Sequence, residues 1–154
     1  MDSPAVRAFW ASYADATGET GQPAAVYAFG DNPALAEELL ALVMSGRKTA
    51  TAELVEQYRA DGEDLPAVGD LCVVTRADGT PAAILRTTEI RIGPLSSVDR
   101  DFAWDEGEGD RSLESWQEGH ERYFRRSCDA LGIAFSAELD VVFERFERVW
   151  PVED

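Results

Sequence analysis

Apolar positions along the chain alternate between helical and extended spacing. Val6, Phe9, Trp10 and Tyr13 recur at steps of three or four, which predicts an amphipathic helix. Ser3 as N-cap and Pro4 in the first turn start that helix, and it fades at Thr17-Gly18. Gly21-Gln22-Pro23 reads as a linker, and Ala25 to Phe29 as a strand ending at Gly30. Asp31-Asn32-Pro33 caps a second helix whose core stripe is Leu35, Leu39, Leu42 and Val43, with Gly46 as its stop. Thr49 to Ala52 is extended, and a short helix follows over Glu53 to Arg59.

After Gly69-Asp70, Leu71 to Thr75 predicts a strand. Asp78-Gly79 marks a hairpin turn, and Pro81 to Ile92 is the partner strand. An acidic loop carries Asp105, Glu106, Glu108 and Asp110, with Gly107 and Gly109 between them. A third helix runs from about Ser112 to Leu131, and Leu139 to Trp150 is a last strand. This mixture predicts an α+β domain: a small β-barrel flanked by helices. Residues 1–22 read as an N-terminal helix and linker, and residues 23–152 as the domain.

Composition narrows the partners. The chain has 154 residues and a formal net charge of -16, so any nucleic-acid contact needs a local basic groove on an acidic body. No apolar run approaches the length of a membrane span, and acidity discourages contact with anionic lipid. Cys72 and Cys128 lie far apart without a CxxC spacing, so a zinc knuckle or redox motif is not indicated. Two reduced thiols and no basic-then-apolar leader predict a cytoplasmic protein.

Four constellations could carry chemistry. Lys48 is the sole lysine and lies in Gly46-Arg47-Lys48-Thr49-Ala50-Thr51, just past the second helix. A neutral Lys48 could take the hydroxyl proton of Thr51, three residues on. Alternatively, Arg47 and Lys48 could hold a phosphate or carboxylate, or complement the helix dipole. In the third helix, Leu113, Trp116, His120, Phe124, Cys128 and Leu131 share a stripe. The only histidine is therefore either a hydrogen-bonded boundary residue or an acid-base group at a cleft rim. Glu106, Glu108 and Asp110 offer oxygen ligands for a hard cation such as Mg²⁺, without an EF-hand spacing, or form a solvated loop. Arg86 and Glu89 are the fourth pair. Strict alternation puts them on opposite faces of their strand unless a bulge intervenes.

Several segments together resemble the ASCH-domain family of the PUA-like barrel superfamily. They are Tyr27-Ala28-Phe29-Gly30-Asp31, Ser45 to Thr51, Val68-Gly69-Asp70-Leu71-Cys72-Val73-Val74, and Ile84 to Glu89. Phe102-Ala103 with Glu106 to Asp110, Ser112-Leu113, and Trp116-x-x-x-His120-x-x-Tyr123-Phe124 complete the match, which spans about residues 25 to 150. The resemblance implies a PUA-like barrel, a cleft near Lys48, and single-stranded RNA or an RNA-derived nucleoside as ligand. It implies either ribonuclease activity or hydrolysis of the acetyl amide of acetylated cytidine by a Lys, Thr, Glu trio. Lys48 and Thr51 match the first two members. Read without gaps, the third, a strand glutamate, falls at Arg86, which cannot act as an acid-base group. Glu89 is the nearest acid on that strand.

That departure favours ribonuclease chemistry, with the amidohydrolase and a non-catalytic RNA-binding module as alternatives. Arg47, Lys48 and Arg86 would supply charge, and His120 or Lys48 would move protons. Tyr58, Trp104 or Tyr123 would stack a base. No cofactor is expected beyond a divalent cation.

Overall fold

The computed structural model describes residues 3–152. Five strands form one curled half-barrel sheet in the order β1-β3-β4-β5-β2. They are β1 (Ala25–Tyr27), β2 (Ala50–Leu54), β3 (Leu71–Thr75), β4 (Pro81–Pro94) and β5 (Asp140–Trp150). β1 runs parallel to β3, and the other pairs are antiparallel. The helices are α1 (Pro4–Thr17), α2 (Pro33–Met44), α3 (Val55–Asp61), α4 (Arg100–Glu106) and α5 (Leu113–Leu131). The chain forms the expected α+β fold of a small β-barrel flanked by helices, its sheet curled into a half-barrel.

Local chemistry sets the helix ends. The Ser3, Asn32, Asp99 and Ser112 side chains each accept a backbone N–H in the first turn of α1, α2, α4 and α5. α4, which runs into the acidic segment at Asp105 and Glu106, is not marked by the sequence pattern: seven residues are too short for a visible helical period, yet Phe102 and Ala103 are buried. β1 ends at Tyr27, two residues short of the expected strand, and Glu53 belongs to β2 rather than to the helix after it.

Three apolar clusters hold the layers. Ala50, Ala52 and Leu54 of β2 and Val141 and Phe143 of β5 pack against Phe102 of α4 and Trp116 and Phe124 of α5. Leu39, Leu40 and Val43 of α2 pack on Val74, Ala83, Leu85 and Phe146. Val6, Trp10 and Tyr13 of α1 pack on Val73 and Ile84. The segment read as an N-terminal helix and linker thus lies against the sheet of the domain that follows it; residues 1, 2, 153 and 154 lie outside the described part.

A register shift between Thr87 and Glu89 has consequences for the site. Thr87 pairs with Phe146 and Glu89 with Arg145, so Thr88 is the extra residue of a β-bulge. The bulge turns Glu89 to the outer face, the same face as Arg86.

Candidate active site

The turn after α2 delivers Lys48 into the interior. Arg47 and Lys48 both donate their backbone N–H to the carbonyl of Leu42, and Lys48 is 1% exposed. Its ammonium has three hydrogens and three acceptors. Nζ donates to the Ala50 carbonyl at 2.8 Å, to Glu106 Oε1 at 2.6 Å and to Glu108 Oε2 at 2.8 Å. Glu106, at the end of α4, is itself 1% exposed, and its second oxygen accepts from Trp116 Nε1 at 2.8 Å.

His120 completes this cluster. Its Nε2 lies 3.0 Å from Glu106 Oε2 and its Nδ1 3.0 Å from the Trp116 carbonyl. Both neighbours only accept, so both ring nitrogens carry hydrogen and the ring is an imidazolium. The ring stacks on Trp116 at 3.9 Å between centroids. Glu106 thus faces two cations in the interior, with Glu108 beside them at the cleft, and every buried polar side-chain atom of the described residues has a partner.

The ionisation states follow from this pairing. Burial pulls Lys48 downward, but Glu106 and then Glu108 outweigh it and hold the ammonium above its ordinary value. Burial also opposes charge on Glu106, yet Lys48 and His120 hold its carboxyl well below the usual range. Burial pulls His120 down and Glu106 more than restores it, so its pKa is raised. Glu108 differs. Burial pushes it up against the pull of Lys48, and the neighbouring Glu106 charge adds to the rise.

A cleft of about 1030 Å³ opens over the cluster, between the concave sheet face and α2, α3 and α5. Lys48, Thr51, Glu106, Glu108 and His120 lie along it, as do Tyr58 and Tyr123. Thr51 and Glu53 alternate with the buried Ala50, Ala52 and Leu54, so they face the cleft while the alanines and leucine face the core. Tyr123 donates to Glu53 Oε2 at 2.9 Å. The walls carry Glu53, Asp61, Asp64, Asp70 and Glu144 against Arg122 and Arg126, which makes the cleft acidic.

The other residues singled out from sequence lie elsewhere. Arg47 sends Nε and Nη2 to the carbonyls of Gly107 and Gly109, at 2.6 and 2.7 Å; it pins the acidic segment rather than facing a ligand. Arg86 is exposed and pairs with Glu147 at 3.0 Å. Glu89 pairs with Arg145 on the outer face, because the bulge re-aims it, and does not meet Lys48. Trp104 is 56% exposed, outside the cleft, under the guanidinium of Arg111. The acid that meets Lys48 is Glu106, which the sequence places in an acidic segment read as either a cation site or a solvated loop. Its signal was present as a glutamate on the apolar Phe102-Ala103 turn, four residues past Phe102.

Glu106, Glu108 and His120 also bring ligand atoms within 4.8 Å of one another, the arrangement a metal site needs. Lys48 already stands between the two carboxylates, however, and His120 binds Glu106 through a protonated nitrogen. A divalent ion bound by these three residues would have to displace the Lys48 ammonium. Asp110, the remaining oxygen candidate, is exposed and accepts from the Ser112 amide.

This fold and cleft coincide with a known class. The chain matches the ASCH domain family over residues 25–150 and belongs to it; the family is PUA-like in fold and generally linked to RNA. The ASCH domain of Lactobacillus crispatus is 33% identical, with a TM-score of 0.85, over 96% of this chain and 95% of that one. A protein of Enterococcus faecalis is 33% identical with a TM-score of 0.86, over 94% and 88% of the two chains. No curated protein matches the chain. Among the described residues, no helix is long and apolar enough to cross a membrane.

Proposed function

We propose that the protein hydrolyses an acyl amide on an RNA-derived nucleoside, acetylated cytidine being the type substrate. The observation that carries this reading is the buried Lys48–Glu106 pair in a cleft wall that Thr51 also lines. Glu106 of α4 is the acid that meets Lys48. Thr51 is the nucleophile. Its Oγ1 adds to the acyl carbon, the C–N bond breaks, and water then releases the acid from the threonine ester. Lys48 is not the base, since all three of its hydrogens are engaged and its proton is held. It contributes positive charge beside the oxyanion. Glu108, 28% exposed and with a raised pKa, supplies the proton to the departing amine.

The cleft chemistry favours this over a polyanionic ligand. A nucleoside fits a cavity of this size, and tyrosines offer stacking faces. A phosphate chain would meet the wall carboxylates. Single-stranded RNA cleavage is the second reading, favoured by Arg122 of α5 on the cleft wall, which could receive a phosphate, whereas Arg126 is held by Asp31. Acetylated cytidine and labelled single-stranded RNA, each given to wild type and Lys48→Ala, separate the two. Acetate release that drops by at least about 100-fold in the variant is expected. RNA cleavage lost in the variant, without acetate release by wild type, would replace the amidohydrolase with a ribonuclease.

A further inference from the structure

The proposed reaction lacks a base for Thr51, and the sheet register supplies a candidate on β5. Thr51 of β2 pairs directly with Glu144 of β5. Directly paired residues of antiparallel strands project from the same face, with Cβ atoms about 5 Å apart. Both side chains line the cleft. Glu144 is 7% exposed, and its Oε2 accepts from Thr87 Oγ1 at 2.6 Å. Thr87 is in place because the bulge beyond it keeps it facing inward while Glu89 turns out. This bond anchors one oxygen and leaves Oε1 for the cleft.

Three other polar groups of the cleft have their hydrogen-bonding capacity taken up by protein partners. Lys48 has spent its three hydrogens, and both oxygens of Glu106 accept from protein donors. Glu53 accepts from Tyr123 through Oε2 and from its neighbour Leu54 N through Oε1. Resting on the amidohydrolase reading, we propose that Glu144 is the general base that activates Thr51, with Thr87 as its positioning residue. The Thr51 hydroxyl proton passes to Glu144 Oε1 as the Oγ1 lone pair forms the bond to the acyl carbon and the carbonyl π pair moves to oxygen. The tetrahedral adduct collapses with loss of the amine, which takes the proton of Glu108. Water then attacks the ester and leaves a proton on Glu108, while Glu144 returns its proton to Thr51 Oγ1 as the acid departs. Both groups end as they began.

The surroundings of Glu144 suit a base that works near neutrality. Burial lifts its pKa above the ordinary carboxylate value, the Thr87 hydrogen bond opposes the rise, and Asp70 adds to it. The phenols of Tyr27 and Tyr58 and the thiol of Cys72 are the other titratable groups that feel its charge, and all three are themselves raised.

Acylation of Thr51 by p-nitrophenyl acetate, located by peptide mass spectrometry, tests this without the natural substrate. Wild type should be acetylated at Thr51, and Glu144→Gln should be acetylated at least about 100-fold more slowly. Thr87→Val should slow labelling less, since it frees rather than removes the carboxyl. Labelling of Glu144→Gln at the wild-type rate, or no labelling of Thr51 in wild type, would overturn the assignment. Labelling that depends on Glu144 in a protein that leaves acetylated cytidine intact would uphold the base and discard the substrate. Urea denaturation of each variant confirms that the compared proteins are folded.

Discussion

At the scale of single residues, each buried charge has a distinct role that can be tested by its own substitution. Glu106 receives Lys48, His120 and Trp116, so Glu106→Gln leaves two interior cations short of a counter-charge. It should cost about 3–5 kcal/mol in urea denaturation, the range for breaking a buried pair from one side. His120 has a folded-state pKa above 6.5, so its contribution to stability is complete below that pH and is lost as pH rises through the folded value. Wild type should therefore lose stability above about pH 6.5, and His120→Gln should flatten that slope. Glu144 shows the opposite relation between charge and fold. Its folded pKa lies above 4.5, so the fold favours the neutral form and loses stability as pH rises past 4.5. Glu144→Gln should raise the urea midpoint at neutral pH while abolishing activity, the trade expected of a strained functional group. The sequence already announced Lys48 and Thr51 through a lone lysine and their spacing. Glu144 was hidden among the charged residues of its strand. Its cue was alternation: Val142, Glu144 and Phe146 share a face, and a glutamate between two buried apolar residues is out of pattern.

At the scale of elements, the site depends on two short pieces that periodicity does not reveal. α4 carries Glu106, and the turn after it is locked by Arg47. Gly107 has φ of 72°, and a Cβ there would collide with the Arg47 carbonyl. Gly107→Ala should therefore push the loop off the α2 turn, separate Glu106 and Glu108 from Lys48, and lower both stability and turnover; wild-type turnover in that variant would show that the loop is not what assembles the site. The long elements were legible because α1, α2, α5 and β3 to β5 carry strong periods and capping residues. The direction of Glu89 was not, because a bulge changes the face of every following residue and no residue type marks Thr88 as the extra one. Arg86 and Glu89 do end on one face, but the outer one, so the acid for Lys48 comes from a different element altogether.

At the scale of the whole molecule, the chain places one cationic cluster inside an acidic body of net charge -16. The potential inside the cleft comes from wall carboxylates, with Lys48 and His120 both paired with Glu106. A 5′-phosphate on the acylated nucleoside should raise KM relative to the free nucleoside, and added salt should narrow the gap because screening weakens the repulsion. Equal KM values for the two would mean that the phosphate never approaches the walls. On the proposed reading, an RNA-derived base enters a cleft whose walls repel RNA backbone, which reconciles the family's link to RNA with so acidic a surface. The most direct test of the account is the rate of acetate release from acetylated cytidine by Thr51→Val against wild type. The account predicts turnover by wild type and a fall of at least about 1000-fold in the variant, as loss of a nucleophile produces. Undiminished acetate release from Thr51→Val would contradict it.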